Sequence, residues 1–169
     1  MLYILGNRIC HINCNRITKL LICLTIEDYD GVYSLWDNTP EMGINSTDDS
    51  REGIEKYLRR NPTTSFVAED NGEIVGAILS GHDGRRGFIQ HLTVSTACRH
   101  QGIGAKLVDA TMQALEQEGI PKVALLTFKK NLNANAFWEK MGFALREDVN
   151  YRNKSIQELS YRDNPFTTR

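Results

Sequence analysis

Residues 88–104 read FIQHLTVSTACRHQGIG and run directly into AKLVDATMQAL. An apolar run passes through a loop with two closely spaced glycines into a helical stripe. Leu107, Val108, Met112 and Leu115 form that stripe, which stops at Gly119. Few local patterns constrain a chain more than a strand feeding a helix through a glycine loop. The first turn of the helix leaves free N–H groups at the positive end of its dipole. Glycine lets the backbone come close to a ligand there. Two familiar phosphate loops do not fit. A dinucleotide fingerprint needs a third glycine where Leu107 stands, and an acidic residue about twenty positions on, which is missing. A P-loop needs Gly-Lys-Ser/Thr, whereas Gly104 is followed by Ala105, Lys106 and Leu107. What remains is Arg99-x-x-Gly102-x-Gly104, which fits either a pyrophosphate cradle or a plain turn.

The flanking sequence supplies alternating elements. Residues 17–26 read as an apolar strand, and Thr25-Ile26-Glu27-Asp28 as a capping signal before Tyr29, Val32, Tyr33 and Trp36 at helical spacing. A loop follows, NTPEMGINSTDDS, then a helix marked by Ile54, Tyr57 and Leu58 and closed at Asn61-Pro62. SFVAE and EIVGAILS flank Asp70-Asn71-Gly72, a hairpin signal, and the turn GHDGRRG leads into FIQHLTVS. KVALLTF reads as a strand covered on both faces, NANAFWEKM as a helix ending at Gly142, and residues 143–161 carry weaker strand signals. The order is β-α-α-β-β-β-α-β-α-β. Residues 1–16 lack a period and are set apart as an extension; residues 17–169 make one domain.

Composition narrows the classes. A net charge of −1 leaves no electrostatic footprint for duplex nucleic acid, and no such partner is expected. Of the four cysteines, Cys10 and Cys14 flank His11 without a second ligand pair, so no metal is expected and the thiols read as reduced. The apolar run at 20–24 is too short to span a bilayer, and a cytoplasmic protein with no membrane partner is expected.

Two segments together carry a resemblance. HLTVSTACRHQGIGAKLVDATMQAL resembles the acetyl-CoA-binding motif of the GNAT family of N-acetyltransferases, and NLNANAFWEKMGF is similar to that family's second signature, in the right order. The resemblance covers residues 17–161, nearly the whole chain. It implies an α/β GNAT fold, with a mixed, mostly antiparallel sheet of about six or seven strands, a central splay and about four flanking helices. It also implies transfer of acetyl from acetyl-CoA to a primary amine, by direct attack in a ternary complex. The acceptor is a small molecule or a peptide or protein amine. Homodimers are common in the family and have no mark in this sequence.

By that resemblance, the backbone of Leu92, Thr93 and Val94 pairs with the pantetheine arm. The amides of His100, Gln101, Gly102, Ile103, Gly104 and Ala105 hold the pyrophosphate, and Arg99 holds the loop or approaches the phosphates. Asn131 contacts the cofactor or caps a helix, Phe137 and Trp138 line the arm, and Lys129 and Lys130 stand near the nucleotide. The Val94 N–H is the candidate oxyanion contact.

The chain departs from the family at both proton-transfer points. Trp138 stands where many relatives have a tyrosine acid, and an indole is no useful acid. Tyr151 is the candidate replacement. Phe88 and Gln90 occupy the face where relatives place a base. His91 is the candidate base, although strand alternation points it to the opposite face. Asp37, Glu41 and His82 are weaker candidates acting through water, and the acids Asp37, Glu41, Asp48 and Asp49 suit either a cationic amine or capping. Arg85 and Arg86 read as a solvated turn or a contact for an acidic substrate. Cys98 has no neighbour to activate it, so an acyl-enzyme is not expected. A non-catalytic acyl-CoA-binding module on the same fold is the alternative.

Overall fold

The computed structural model describes residues 20–166. The Cys10–Cys14 pair, the extension and the first residues of the expected opening strand lie outside the described residues. Among the described residues, five strands form one sheet in chain order: β1 (Leu20–Cys23), β2 (Phe66–Asp70), β3 (Glu73–His82), β4 (Gly87–Val94) and β5 (Val123–Leu125). Neighbours pair antiparallel except β4 and β5, which run parallel. Helices α1 (Tyr29–Asp37) and α2 (Arg51–Arg60) pack on one face, and α3 (Ile103–Gln117) and α4 (Leu132–Lys140) on the other.

Strand alternation divides the core in two. Val67, Ala77 and Leu79 meet Val32, Trp36, Ile54 and Leu58 on the α1–α2 side. Phe66, Ala68 and Ile78 meet Ile103, Leu107, Val108 and Trp138 on the α3–α4 side. A buried polar seam locks the joint between β2 and β3. The hydroxyls of Thr64 and Ser80 each donate at 2.7 Å to the other's carbonyl, and Thr111 of α3 donates to Thr64 O at 3.2 Å. The caps behave as local chemistry dictates. Asp28 accepts from Thr25 N–H at 2.9 Å, Ser50 accepts from Gly53 N–H at 3.1 Å, and Asn71 and Gly72 turn the hairpin with φ of 53° and 84°.

The mixed, mostly antiparallel sheet, its splay and the four helices are as expected, but the sheet is narrower. The tail forms no strand among the described residues; its one pairing is the isolated bridge between Asn45 and Tyr161. Leu145, Val149 and Ile156 stay exposed, so the tail has no apolar face to set a register. KVALLTF is a strand only over Val123–Leu125, and Leu126 is already 53% exposed. As the outer strand, β5 is not covered on both faces as its composition implied.

Two helical glycines make a contrasting test. A Cβ on Gly53 would lie 2.5 Å from the carbonyl oxygens of Thr47 and Asp48, whereas one on Gly104 would meet Phe137 at 3.5 Å, ordinary contact. Urea unfolding is expected to show Gly53→Ala destabilising by about 2 kcal/mol through overpacking. Gly104→Ala should stay within about 1 kcal/mol of the parent, because alanine favours the helix.

Candidate active site

The sheet splits where β4 gains a residue. Leu79 pairs with His91 but Ser80 pairs with Ile89, so Gln90 is a bulge. Pairing between β4 and β5 covers only Gly87–Val123, Phe88–Ala124 and Ile89–Leu125. Beyond that vertex the two strands diverge. The Ser95 N–H donates to Val75 O at 2.9 Å, which makes 95 and 75 a hydrogen-bonded pair. By alternation Thr93 and His91 also turn their backbone groups to β3, and Leu92 and Val94 turn theirs into the gap. Arg99 Nε donates to the Val94 carbonyl at 3.2 Å, pinning the loop to the strand. The Leu92 N–H and C=O and the Val94 N–H are left facing the gap. Thr93 is therefore misplaced by the sequence expectation: its backbone serves β3 and its hydroxyl meets Met42 Sδ at 3.0 Å.

The glycine loop lies past the end of β4. A 3₁₀ turn over Thr96–Cys98 leads to His100 with φ 62° and Gly102 with φ 79°, both left-handed. Lys106 N–H makes the first helical bond, to Gly102 O at 3.1 Å, so the amides of Ile103, Gly104 and Ala105 have no intrahelical partner. Nothing lies within 4 Å of the space over Gly102, while Gly104 sits under Phe137 and Val94. An open, amide-lined pocket at a helix N-terminus, continuous with free strand amides, fits the pyrophosphate and amide-bearing arm of coenzyme A.

Other expected cofactor contacts have structural work to do. Asn131 accepts from Ala134 N–H at 3.0 Å and caps α4. Trp138 is buried edge-on between Phe137 and Phe143, each at 5.1 Å, and belongs to the core rather than lining an arm. Lys129 and Lys130 are exposed.

The bulge also overturns the phase of the strand. One extra residue puts His91 on the same side as Gln90 and Phe88, facing α1 and α2. His91 Nε2 lies 2.9 Å from Asp49 Oδ1, with the two side chains 16% and 4% exposed. Asp49 Oδ2 accepts from Asn45 N–H at 2.8 Å, and Tyr29 OH donates to the Asp49 carbonyl at 2.9 Å. Trp36 packs edge-on to the imidazole at 4.9 Å. Two further loop acids are engaged: Asp37 pairs with Arg162 at 3.0 Å and Asp48 with Asn45 Nδ2 at 3.0 Å.

The weaker candidates fall elsewhere. His82 Nδ1 accepts from Gly84 N–H at 3.1 Å, and the Glu41 carbonyl accepts from Asn164. Tyr151 is 65% exposed in the irregular tail, and nothing among the described residues ties it to the gap. Sequence reasoning missed Arg162, whose guanidinium also donates to the carbonyls of Trp36, Asp37 and Thr39 at 3.1, 2.9 and 2.8 Å, closing the end of α1. Among the described residues, no three His, Cys, Asp or Glu side chains gather as a metal site, and no helix is long and apolar enough to cross a membrane.

Residues 29–143 match the family model described as acetyltransferase (GNAT) family. The chain belongs to the GNAT family. It is 30% identical to acetyltransferase SG1711 of Sodalis glossinidius over 140 residues, 78% of this chain and 92% of that one. It is 29% identical to acetyltransferase ECA0875 of Pectobacterium atrosepticum, over 80% and 94% of the two chains. Among solved structures, the aminoglycoside acetyltransferase meta-AAC0020 from an uncultured soil metagenomic sample superposes with a TM-score of 0.66 at 26% identity, covering 82% and 97% of the chains. The PaiA N-acetyltransferase of Thermoplasma acidophilum, solved with coenzyme A, shares the fold at a TM-score of 0.68 and 18% identity, covering 79% and 94%. This GNAT protein is an acetyl-CoA-dependent N-acetyltransferase acting on an amine.

On the α1–α2 side of this acetyltransferase, Gln90 lies close to the phenol of Tyr57 of α2. Burial pushes the Tyr57 phenol up to about 12, against the smaller opposing pull of Gln90. The phenol stays neutral longer in the fold than in the unfolded chain. Its contribution is therefore intact below about pH 10 and is lost as pH rises towards about 12. Denaturant titrations across that window should show stability falling in the parent, and a shallower fall in Tyr57→Phe.

Proposed function

We propose that His91, oriented by Asp49, takes the proton from the acceptor amine, a small-molecule or peptide primary amine. The observation that carries this reading is the 2.9 Å contact between His91 and a buried Asp49, on the face opposite α3 and beside the vertex of the splay. Acetyl-CoA supplies a thioester whose carbonyl carbon accepts the amine.

The chain's own groups do the rest. The amides of Ile103, Gly104 and Ala105, with the loop from His100 to Gly102, hold the pyrophosphate end beyond Val94. The arm then runs back along Leu92 and Val94, which brings the acyl end towards the Ile89–Leu125 vertex. In this reading the Val94 N–H holds the arm, and the Leu92 N–H, nearer the vertex, takes the carbonyl oxygen as it gains charge.

A lysine-like amine is mostly protonated at neutral pH, with a pKa near ~10.4, so a base raises the attacking fraction. The imidazole accepts at one nitrogen; the Asp49 carboxylate fixes the other and steadies the cation that forms. The new C–N bond replaces the C–S bond and the thiolate leaves; the proton that His91 took before attack passes to water, and the second proton, lost by the nitrogen after attack, passes to water or to the departing sulfur. Trp138 is buried and Tyr151 is held by nothing near the gap, so no side-chain acid is assigned to the sulfur. A thiol pKa near ~8.5 makes an unassisted departure feasible.

Release of free thiol from acetyl-CoA with a panel of amines tests the assignment. His91→Gln is expected to lower kcat about 10²-fold with the KM for acetyl-CoA unchanged. Full kcat in His91→Gln, with coenzyme A binding intact, would remove His91 from the chemistry.

A further inference from the structure

Beside the vertex, on the His91 side, lies a recess of about 500 Å³ between the end of α2, the β3–β4 turn and the start of β5. Tyr57, Phe88 and Gln90 form its inner wall, next to the acyl end of the arm as read above. Three separate elements each send one cation to its rim: Arg60 from the last turn of α2, Arg86 from the turn into β4, and Lys122 from the residue before β5. None of the three forms an ion pair among the described residues. Arg59, the neighbour of Arg60, is by contrast paired with Glu55.

The acidic groups nearby are already engaged. The Asp83 carboxylate accepts from the Arg85 and Arg86 N–H groups, each at 2.8 Å, and those bonds hold it below the usual carboxylate range. Asp148, which faces Lys122 from the tail, is gripped by Arg146 at 2.6 and 2.7 Å. A chain whose net charge is −1 thus sets three cations that form no ion pair among the described residues around one recess.

The turn is also built to bring these parts together. A Cβ on Gly81 would lie 2.4 Å from Asn61 Cγ, and Asn61 Oδ1 accepts from His82 N–H at 2.8 Å, so the end of α2 is stapled to β3. Gly84 has φ +89°, and a Cβ on Gly87 would press Leu115 and Val123 at 3.0 and 3.1 Å. Backbone geometry and packing account for every glycine of GHDGRRG and for Asp83. Arg86 Nη1 donates to the Arg85 carbonyl at 3.2 Å, which leaves its charge without an acidic partner.

We propose that this recess binds an anionic group of the acceptor, so that the preferred substrate is an amine that also carries a carboxylate or a phosphate. The inner wall suits the link between the two ends. Phe88 offers an apolar surface, and Tyr57 and Gln90 offer neutral hydrogen-bonding groups. The amine end lies towards His91 and the anion towards Arg86 and Lys122. A polycation would meet like charge here. Three of the four loop acids, Asp37, Asp48 and Asp49, are bound to Arg162, Asn45 and His91. The inference rests on the proposed acceptor face.

Two arms test it. In the first, kcat/KM is compared for ω-amino carboxylates, ω-aminoalkyl phosphates and ω-amino alcohols of matched length. At least a tenfold preference for one anionic series is expected, and which series wins identifies the group. In Arg86→Glu the ratio of anionic to neutral substrate should fall at least tenfold, with coenzyme A binding, on the other face, as the folding control. Equal kcat/KM for anionic and neutral amines would overturn the proposal.

The second arm needs no turnover. Calorimetric titration of butyrate and propyl phosphate into the protein–coenzyme A complex should show binding by at least one of them, weakened at least tenfold in Arg86→Glu, and none by butanol. Binding of neither anion would overturn the proposal. Anion binding without acetylation of any amine would instead count against the assigned acceptor face.

Discussion

One extra residue in β4 governs the site. With Gln90 bulged out, Ile89 is the last residue of β4 to pair with β5, and Leu92 and Val94 turn their amides into the space where the strands part. The same residue resets the alternation, so that His91 faces α1 and α2 in place of α3. The free amides of the gap and the face on which His91, the proposed base, lies thus meet at the same bulge. Were the ladder regular from the Ser80–Ile89 pair onward, His91 would pair with Ile78 and its imidazole would turn into the α3–α4 core.

The bulge explains what could be read from the residues and what could not. Local chemistry was visible because each signal lies within a few positions. The Thr25–Asp28 cap, the Asn71-Gly72 turn, the Gly102 entry to α3 and the Gly142 stop all form as the sequence implies. A bulge has no such signature, since it depends on the register of a partner strand. Strict alternation consequently sent His91 to the wrong face; Thr93 was counted among residues facing the cofactor by the family resemblance alone, whereas alternation from Ser95 turns its backbone to β3. Asp49 looked like one of several capping acids, and only tertiary folding sets it 42 positions away against His91. Composition misjudged β5 for a related reason. Its apolar run suits a covered strand, but the tail that would flank it lacks an apolar face.

Proton handling at the site is lopsided. On the proposed amine side, an imidazole packed against an indole is held by a buried carboxylate that is itself held by a main-chain amide. On the sulfur side, Trp138 fills a core position with its ring between two phenylalanines. Such an arrangement puts its organisation into activating the nucleophile, which is the harder half when the attacking group is a protonated amine and the leaving group a thiolate.

Arg162 fastens the end of α1, and neighbouring tail residues bridge to Asn45 and reach the Glu41 carbonyl. The nucleotide-holding half of the molecule, by contrast, is complete by Gly142. During synthesis the two halves therefore mature at different times. A nascent chain with α4 already outside the ribosome has every residue of the cofactor cradle, but the wall that carries Asp49 still awaits its fastening.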